Sequence, residues 1–405
     1  MSPAGLLAQS VRVWLLVVTA ACLATPATAW SQSKATAPDP ESRVSETAAG
    51  EAASSSGDEE RDDEDRFRLL PIPIFITEPA IGEGLGLALA LFHPVKEGKP
   101  RDTRLASLES IGDTSETREA PPVVTGVAAG YTNSDTWFAA IGHANNWRQD
   151  SIRYAGALGV AEINSQIYIL NVPLEFTMES AILYQDLKFR WRDSNVFLGA
   201  SFSYLDTENS FGIGAPDGLD DDRFSADVKN VGFAVKGAYE TRDNLMNPRE
   251  GQLLEISAWR YDEAIGGDYD YWSFKLKGLS FHRLSDKATL GLRLDVSGVD
   301  GRVPFFAVPF VKLRGIPALR YQNRVAGAIE VEGRYLIRPR WEVSLFGGLG
   351  YTDDHYPIFE NTDDIYSFGL GGRYNVFEAH NVWVGIDMAR GPEDWNWYVQ
   401  VGHPW

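Results

Sequence analysis

From about residue 66 onward the chain consists of segments of roughly ten residues in which apolar side chains alternate with small or polar ones. Segment 289–298 places three leucines and a valine on one face, and segments 325–337 and 381–390 repeat the pattern. Their polar faces carry Glu330, Glu332 and Asp387. A soluble half-buried sheet also alternates, but charge at so many positions of one face indicates a hydrated interior. The pattern predicts an all-β fold, a transmembrane antiparallel β-barrel.

Counting such segments predicts about sixteen strands, an even number as in single-chain outer-membrane barrels. The predicted strands are 68–77, 83–93, 122–132, 136–147, 151–163, 177–192, 195–207, 228–240, 251–262, 268–283, 287–298, 325–337, 341–351, 365–375, 381–390 and 396–405. If the first strand leaves the periplasm, the short connections are periplasmic and the long ones, 208–227, 299–324 and 352–364, are extracellular. Connection 94–121 breaks this rule because it is long and falls on the periplasmic side.

The region before the barrel divides into two parts. Residues 1–29 resemble a cleaved signal peptide, with Arg12, an apolar run over 13–23 and small residues at 27–29. The only cysteine, Cys22, lies in this segment; a lipoprotein anchored there is the weaker alternative, because residues 19–21 match that processing site poorly. Residues 30–66 are acidic and almost without large apolar side chains, which predicts a disordered periplasmic segment before a barrel over 67–405.

Charge and motifs narrow the function classes. The formal net charge is −19, which argues against a nucleic-acid partner because an acidic protein repels the phosphate backbone. The acidic runs 217–222 and 353–364 are candidates for divalent cations or lipopolysaccharide, but they lack EF-hand spacing and solvated loops are favoured. Nucleotide, cofactor and hydrolase motifs are missing, so we expect no cofactor, no metal and no enzyme. Ser280 with His282 is the nearest candidate for a barrel hydrolase, the least favoured reading.

Aromatic residues support the barrel. Most tryptophans fall near predicted strand ends, where an interfacial girdle belongs: Trp137, Trp147, Trp191, Trp259, Trp272, Trp341, Trp383, Trp395, Trp397 and Trp405. In the last predicted strand Trp397, Val399, Val401 and Trp405 share one face. This ending is similar to the C-terminal signal that the outer-membrane assembly machinery recognises.

Connection 311–324, VKLRGIPALRYQNR, is unusually basic for a link between strands. It contains Leu313, Arg314, Gly315 and Ile316, and three other stretches accompany it. They are PIPIFITEPAIGEGLGLALA at 71–90, ETRDNLMNPREG at 240–251 (with Arg242, Asp243, Asn244, Pro248 and Gly251) and EGRY at 332–335. Together, over residues 70–405, they resemble the BamA/TamA outer-membrane superfamily, also called the bacterial surface antigen family.

The resemblance implies a specific site. The sixth extracellular loop would fold into the barrel, with Arg314 contacting the inner-wall acid Glu332. The physics agrees, because a guanidinium fork matches a carboxylate. Gly348 stands where the family often has an acid, so Glu332, Glu330 or Asp387 is expected to carry more of the contact. The alternative for Arg314 is an exposed loop arginine.

The resemblance also implies a function, with one reservation. It implies insertion or translocation of proteins or lipids at the Gram-negative outer membrane, with membrane lipids, lipopolysaccharide, the barrel assembly machinery and client proteins as partners. Segment 30–66 is too short and too acidic for a POTRA domain, so we expect a POTRA-less member. The alternative is a transport pore with loop 299–324 as its plug.

Overall fold

A computed structural model describes residues 68–93, 123–148, 150–169, 172–192, 194–212, 223–244, 247–353, 365–377 and 382–405. The predicted signal peptide, the acidic segment 30–66, connection 94–121 and most of the acidic runs 217–222 and 353–364 lie outside these residues. No helix in the described part of the chain is long and apolar enough to cross a membrane.

The described residues form one antiparallel sheet of sixteen strands, each paired with its neighbours in sequence, which curls into a nearly closed barrel. The predicted fold class and strand number are confirmed. The strands are β1 Arg68–Glu78, β2 Gly82–Phe92, β3 Val124–Thr132, β4 Trp137–Trp147, β5 Ile152–Ile169, β6 Val172–Arg190, β7 Val196–Gly212, β8 Arg223–Glu240, β9 Gly251–Tyr261, β10 Tyr271–Arg283, β11 Ala288–Gly301, β12 Val325–Arg338, β13 Trp341–Thr352, β14 Tyr366–Phe377, β15 Val382–Arg390 and β16 Trp395–Val401.

The two faces of the strands differ as the alternation predicted. In β12, Glu330, Glu332 and Arg334 are buried, whereas Ile329 and Val331 are exposed. A band of exposed leucines, valines and aromatic residues continues around the outer surface. Such a surface suits lipid rather than water, since soluble proteins rarely expose large apolar patches.

Strands β5 to β8 are longer than predicted. Residues 164–169 and 172–176 extend the β5–β6 hairpin, and residues 208–212 and 223–227, predicted as a loop, extend β7 and β8. The pattern inverts in these extensions: Ile167 and Phe176 are buried, while Gln166 and Glu175 on the other face are exposed. The sequence-based prediction assumed apolar residues on the outer face, and it therefore placed the ends of these strands too early.

The aromatic girdle is partly as predicted. Seven of the ten tryptophans are exposed, consistent with an outer belt: Trp137, Trp147, Trp191, Trp272, Trp341, Trp395 and Trp397. Trp259 and Trp383 are instead buried, so for these two the prediction is wrong. Both lie at positions of β9 and β15 whose alternation turns them away from the outer surface.

The last strand is also shorter than predicted. It ends at Val401, and Gly402 follows with φ +83°. This left-handed conformation suits glycine and takes the chain off the strand direction. Pro404, which has no N–H to donate to a ladder, lies two residues further on.

Candidate functional site: an arginine shared by three carboxylates

The connection between β11 and β12, residues 302–324, is held together by its own backbone. A short 3-10 turn covers Phe305–Ala307. Val311 N–H donates to the carbonyl of Tyr321 at 3.0 Å, and Asn323 N–H donates to Pro309 at 3.1 Å. Most apolar side chains of the connection are buried. Phe306, Phe310 and Leu319 pack in one cluster with strand residues that include Leu205 and Trp259, and Val311, Leu313, Ile316 and Tyr321 pack in a second with Ala326, Ala328 and Ile365.

The predicted motif lies at the centre of this connection. Gly315 has φ +88°, and a Cβ there would come within 2.9 Å of the Gly391 nitrogen, so no other residue fits without a shift. Its N–H donates to the Tyr398 hydroxyl at 2.8 Å, and its carbonyl accepts from Asn396 Nδ2 at 3.0 Å. Both partners lie on β16. Ser367 donates to the carbonyl of Arg314. The motif is therefore bonded directly to the last strand and to β14.

The guanidinium of Arg314 contacts all three predicted acids. Nε donates to Glu330 at 2.8 Å, Nη2 lies 2.7 Å from Glu332 and Nη1 donates to Asp387 at 2.8 Å. The plane of the group also covers the ring of Phe346, with 3.4 Å from Cζ to the ring centroid. Four side chains from β12, β13 and β15 thus surround one arginine of the connection.

These partners keep the arginine charged despite its burial. Arg314 is 7% exposed, and Glu330, Glu332 and Asp387 are each 1% exposed or less. Burial alone would lower the pKa of Arg314, but the charges of the three acids outweigh it and the pKa is raised above its usual value. Charge-assisted bonds of this kind hold a guanidinium in one orientation.

The three acids belong to a larger network in the described residues. Arg373 lies 3.3 Å from Asp387 and 3.7 Å from Glu332, and Arg293 lies 3.4 Å from Glu330. Each carboxylate is therefore shared between at least two basic groups. An arrangement in which every buried charge has opposite charges around it avoids the desolvation cost of an unpaired ion.

Gly348, at the position where the superfamily that the sequence resembles often has an acid, does not leave a gap in the structure. A Cβ at Gly348 would come within 2.7 Å of Leu313 Cδ2. Leu313 therefore occupies the space that a larger side chain at this position would need. The acids that contact Arg314 lie on β12 and β15.

Trp405 and His403 were not predicted at this site. Trp405 Nε1 donates to Glu330 at 3.1 Å, and its ring packs 6.0 Å from that of Phe281. His403 Nε2 lies 3.1 Å from Glu332. The expectation that Trp405 continues the alternating face of Trp397 and Val399 is therefore wrong in geometry, because the chain leaves the strand at Gly402. In the sequence, only Gly402 before His403 and Pro404 before Trp405 indicate that the strand ends here.

The electrostatics of His403 follow from its position. Burial lowers its pKa most, and the positive charges of Arg334 and Arg373 lower it further, while Glu332 raises it. The net result is a pKa of about 3. His403 is thus a neutral imidazole at neutral pH.

Val399 and Val401 of the predicted C-terminal signal remain on β16. Val399 pairs with Ile386 and Val401 with Val384. Trp397 is exposed on the outer surface of the same strand. Recognition of these residues by an assembly machinery stays a prediction.

The predicted turn motif forms a compact loop between β8 and β9. Asp243 Oδ1 accepts from the N–H groups of Asn244, Arg249 and Glu250 at 2.9, 3.0 and 3.2 Å. Arg242 pairs with Glu240 at 2.8 Å. Gly251 has φ +96°, and a Cβ there would meet the Thr241 carbonyl at 2.2 Å.

This turn is joined to the EGRY motif. Arg334, the arginine of that motif, donates to the side chain of Asn247 and to the carbonyl of Pro248. The turn motif and the EGRY motif, which lie some 85 residues apart in the sequence, are thus joined by two hydrogen bonds. Sequence reasoning placed each motif but had no means of pairing them, because the pairing depends on how the turn bends back over the strand ends.

The other candidate sites are less developed. Ser280 and His282 do hydrogen-bond, at 2.9 Å between Oγ and Nε2, but on the solvent- or lipid-exposed side of β10. Within the part of the chain that the structure describes, no group of three or more His, Cys, Asp or Glu side chains is placed to hold a metal ion.

Comparison with known proteins identifies the fold. No protein-family model matches the chain, and no curated protein sequence matches it. Among solved structures, it is similar to BamA from Haemophilus ducreyi lacking POTRA domains 1–3, with a TM-score of 0.55 and 10% identity over 83% of this chain and 70% of that one. The chain has the fold of BamA-like outer-membrane barrels.

Two CdiB structures are also similar. CdiB from Escherichia coli matches with a TM-score of 0.54 and 11% identity over 82% of this chain. CdiB from Acinetobacter baumannii matches with a TM-score of 0.50 and 10% identity over 83% of this chain. The present chain spans 62% and 59% of those two chains. At this level of identity the likeness describes the barrel fold.

Proposed function

We propose that this protein is an outer-membrane barrel that takes part in inserting or translocating proteins, or lipids, at the Gram-negative outer membrane. The BamA-like fold and the motifs around Arg314 support this proposal. Residues 1–29 would direct export and be removed. Membrane lipids, lipopolysaccharide and client outer-membrane proteins would be its partners, and the barrel assembly machinery would act during its biogenesis.

The observation that carries the proposal is the junction of the first and last strands. In the described residues, paired strands run from β1 to β16 and no ladder joins β16 back to β1. Strand β16 has seven residues against eleven in β1. An unpaired strand edge presents N–H and C=O groups that an incoming strand can pair with.

A few side chains bridge this junction instead of a ladder. Trp397 Nε1 on β16 donates to Glu83 on β2 at 3.0 Å. The connection 302–324 contributes a second bridge, since Ala318 N–H donates to Glu78 at the end of β1 at 3.0 Å. Side-chain contacts of this kind are more easily broken than a continuous ladder, so the junction is suited to opening.

We further propose that connection 302–324 folds into the barrel and stabilises its wall. Its contacts support this role, because Arg314 binds acids on β12 and β15, and Gly315 bonds to β16. The loop would hold the last strand in place while leaving its outer edge available to a client.

The test is client folding in proteoliposomes. Vesicles containing the protein should accelerate folding of an added outer-membrane barrel relative to empty vesicles and to vesicles with an unrelated closed barrel. The absence of acceleration across several client barrels would count against insertion.

A transport pore with loop 299–324 as its plug is the second candidate. The charged interior side chains favour it, since a hydrated and charged wall suits ion passage. Planar-bilayer recordings separate the two functions in part. Large, steady channels in the wild-type protein would favour the pore, whereas a closed barrel with rare openings, made more frequent by Arg314→Ala, would favour the insertion function.

A further inference from the structure

A row of lysine and serine side chains crosses the inner face of β8 to β11. The strand register places Lys236 opposite Ser257, Ser257 opposite Lys275, and Lys275 opposite Ser297. Neighbouring strands lie about 4.8 Å apart, so the two lysine Cα atoms are separated by about 10 Å. All four residues are half-buried, and their long or hydroxyl-bearing side chains lie on the polar side of the wall.

The other lysines of this wall have acidic partners. Lys188 lies 3.3 Å from Glu255 and 3.5 Å from Asp186, and Lys236 lies 2.7 Å from Asp186. Lys277 is flanked in register by Glu255 on one side and Asp295 on the other. The wall therefore follows the general rule that buried charges are paired.

Lys275 departs from this rule. Within the described residues, its ammonium group forms no ion pair or hydrogen bond, and both register neighbours are serines. The charges that act on it are those of Lys236 and Lys312, which are both positive. Like charges held together in a partly desolvated interior repel each other, and an anion bound between them would remove the repulsion.

We propose that Lys275, Lys236, Ser257 and Ser297 form a binding site for a phosphate group inside the barrel. Lys236 uses two of its three N–H donors on Asp186 and the Tyr184 hydroxyl, which leaves one for a ligand. Lys275 supplies three donors and each serine one. Compact ammonium charges with hydroxyl donors suit a phosphate oxyanion.

The site lies beside the connection that contains Arg314. Arg293 Nη2 donates to the carbonyl of Lys312 at 2.9 Å, which holds this part of the connection against β11. Lys312 would therefore add positive charge to the site from the loop side. Occupancy by an anion would strengthen the contact between the loop and the wall.

The test measures binding of inorganic phosphate to the full chain refolded in a non-ionic detergent, by titration calorimetry. The wild-type protein should bind one phosphate, and Lys275→Met should weaken the affinity about tenfold or more. Lys275→Arg should restore most of it. Lys287→Met is the matched control, because Lys287 is exposed in the turn between β10 and β11 and should leave the affinity unchanged.

The folded state of each variant is checked by its heat-dependent mobility in gel electrophoresis. Equal phosphate affinity in folded wild-type and Lys275→Met protein would overturn the proposal, as would the absence of any binding at millimolar phosphate. The proposal is supported if Lys275→Met weakens the phosphate affinity tenfold while Lys287→Met leaves it unchanged.

A second arm identifies the source of the phosphate. The protein is placed in nanodiscs of phosphatidylcholine, with or without phosphatidic acid, whose headgroup is a phosphate monoester. If the ligand is a lipid headgroup, phosphatidic acid should abolish binding of inorganic phosphate to the wild-type protein. If the ligand is free phosphate, the affinity should be the same in both lipids, and in phosphatidylcholine nanodiscs Lys275→Met should weaken it about tenfold or more.

Discussion

Arg314 is the residue on which the site depends, because three carboxylates from two strands share its guanidinium. Truncating one partner of a buried ion pair leaves the other charge desolvated, at a cost of about 3–5 kcal/mol. We therefore expect Arg314→Ala to lower the temperature at which the barrel loses its folded gel mobility. Arg338→Ala, at an exposed position of β12, is the control and should have little effect.

A double-mutant cycle tests the contact itself. Arg314→Ala and Glu332→Ala should be non-additive, since removing the acid relieves part of the penalty left by removing the arginine. The residual penalty comes from Glu330 and Asp387, which each lose one basic partner and keep Arg293 and Arg373, respectively. Strictly additive losses would show that the two side chains do not interact.

A single residue, His403, makes the stability of the folded barrel depend on pH. Its pKa is about 3 in the folded protein, below the usual value of about 6.5. As the pH falls from 6.5 toward 3, the unfolded chain takes up a proton that the folded barrel does not, so stability is lost in this window. Between pH 7 and pH 5, this difference in the pKa of His403 lowers the free energy of unfolding by about 2 kcal/mol.

The measurement is the urea midpoint of the refolded barrel at pH 7 and pH 5. Wild-type protein should lose more stability than His403→Gln over this interval, because glutamine has no proton to gain. If the two proteins show the same loss, His403 is not buried as a neutral imidazole.

At the scale of elements, Trp405 joins the segment after β16 to β11 and β12. Its ring lies over Gly291, where a Cβ would come within 2.7 Å, and its indole N–H bonds to Glu330. Trp405 is half-buried, so we expect Trp405→Ala to destabilise the barrel by about 3 kcal/mol, the lower end of the range for truncating a buried aromatic side chain.

The experiment uses protein refolded in detergent, where no assembly machinery is present. A lower unfolding temperature for Trp405→Ala would show a structural role in the folded barrel. Trp395→Ala removes an exposed tryptophan of β16 and is the control. If Trp405 were needed only as an assembly signal, its replacement would leave the stability of the refolded protein unchanged.

At the scale of the whole molecule, β1 contributes to the weak junction through its composition. Pro71 and Pro73 lie on β1, opposite Leu89 and Leu87 of β2. Proline is tolerated in a sheet where its nitrogen faces away from the paired neighbour, so both nitrogens are expected to face β16. Two positions of this edge then have no N–H to offer a ladder.

Replacing both prolines by alanine should restore these donors and strengthen the pairing of β1 with β16. We expect the double variant to unfold at a higher temperature and to accelerate client folding less than the wild-type protein in proteoliposomes. Faster client folding by this variant would contradict the proposal that an open junction drives insertion.

Much of the fold followed from the sequence, because a strand that separates lipid from a hydrated interior must alternate at every second residue. All sixteen strands were predicted on this basis, and the errors at β5 to β8 lie where the pattern inverts. The partners of Arg314 were predicted because Glu330 and Glu332 share a face of β12 and the motifs resemble a known family.

The barrel, its two faces and the arginine of the connection could all be predicted from the amino-acid sequence. Only the tertiary structure placed Trp405 and His403 against the acids of β12, joined Arg334 to the turn before β9, and aligned Lys236 with Lys275 across two strands. Each of these contacts joins residues from different strands or turns. Their proximity depends on register and on the path of the chain after Gly402, which the alternation within a single strand does not specify.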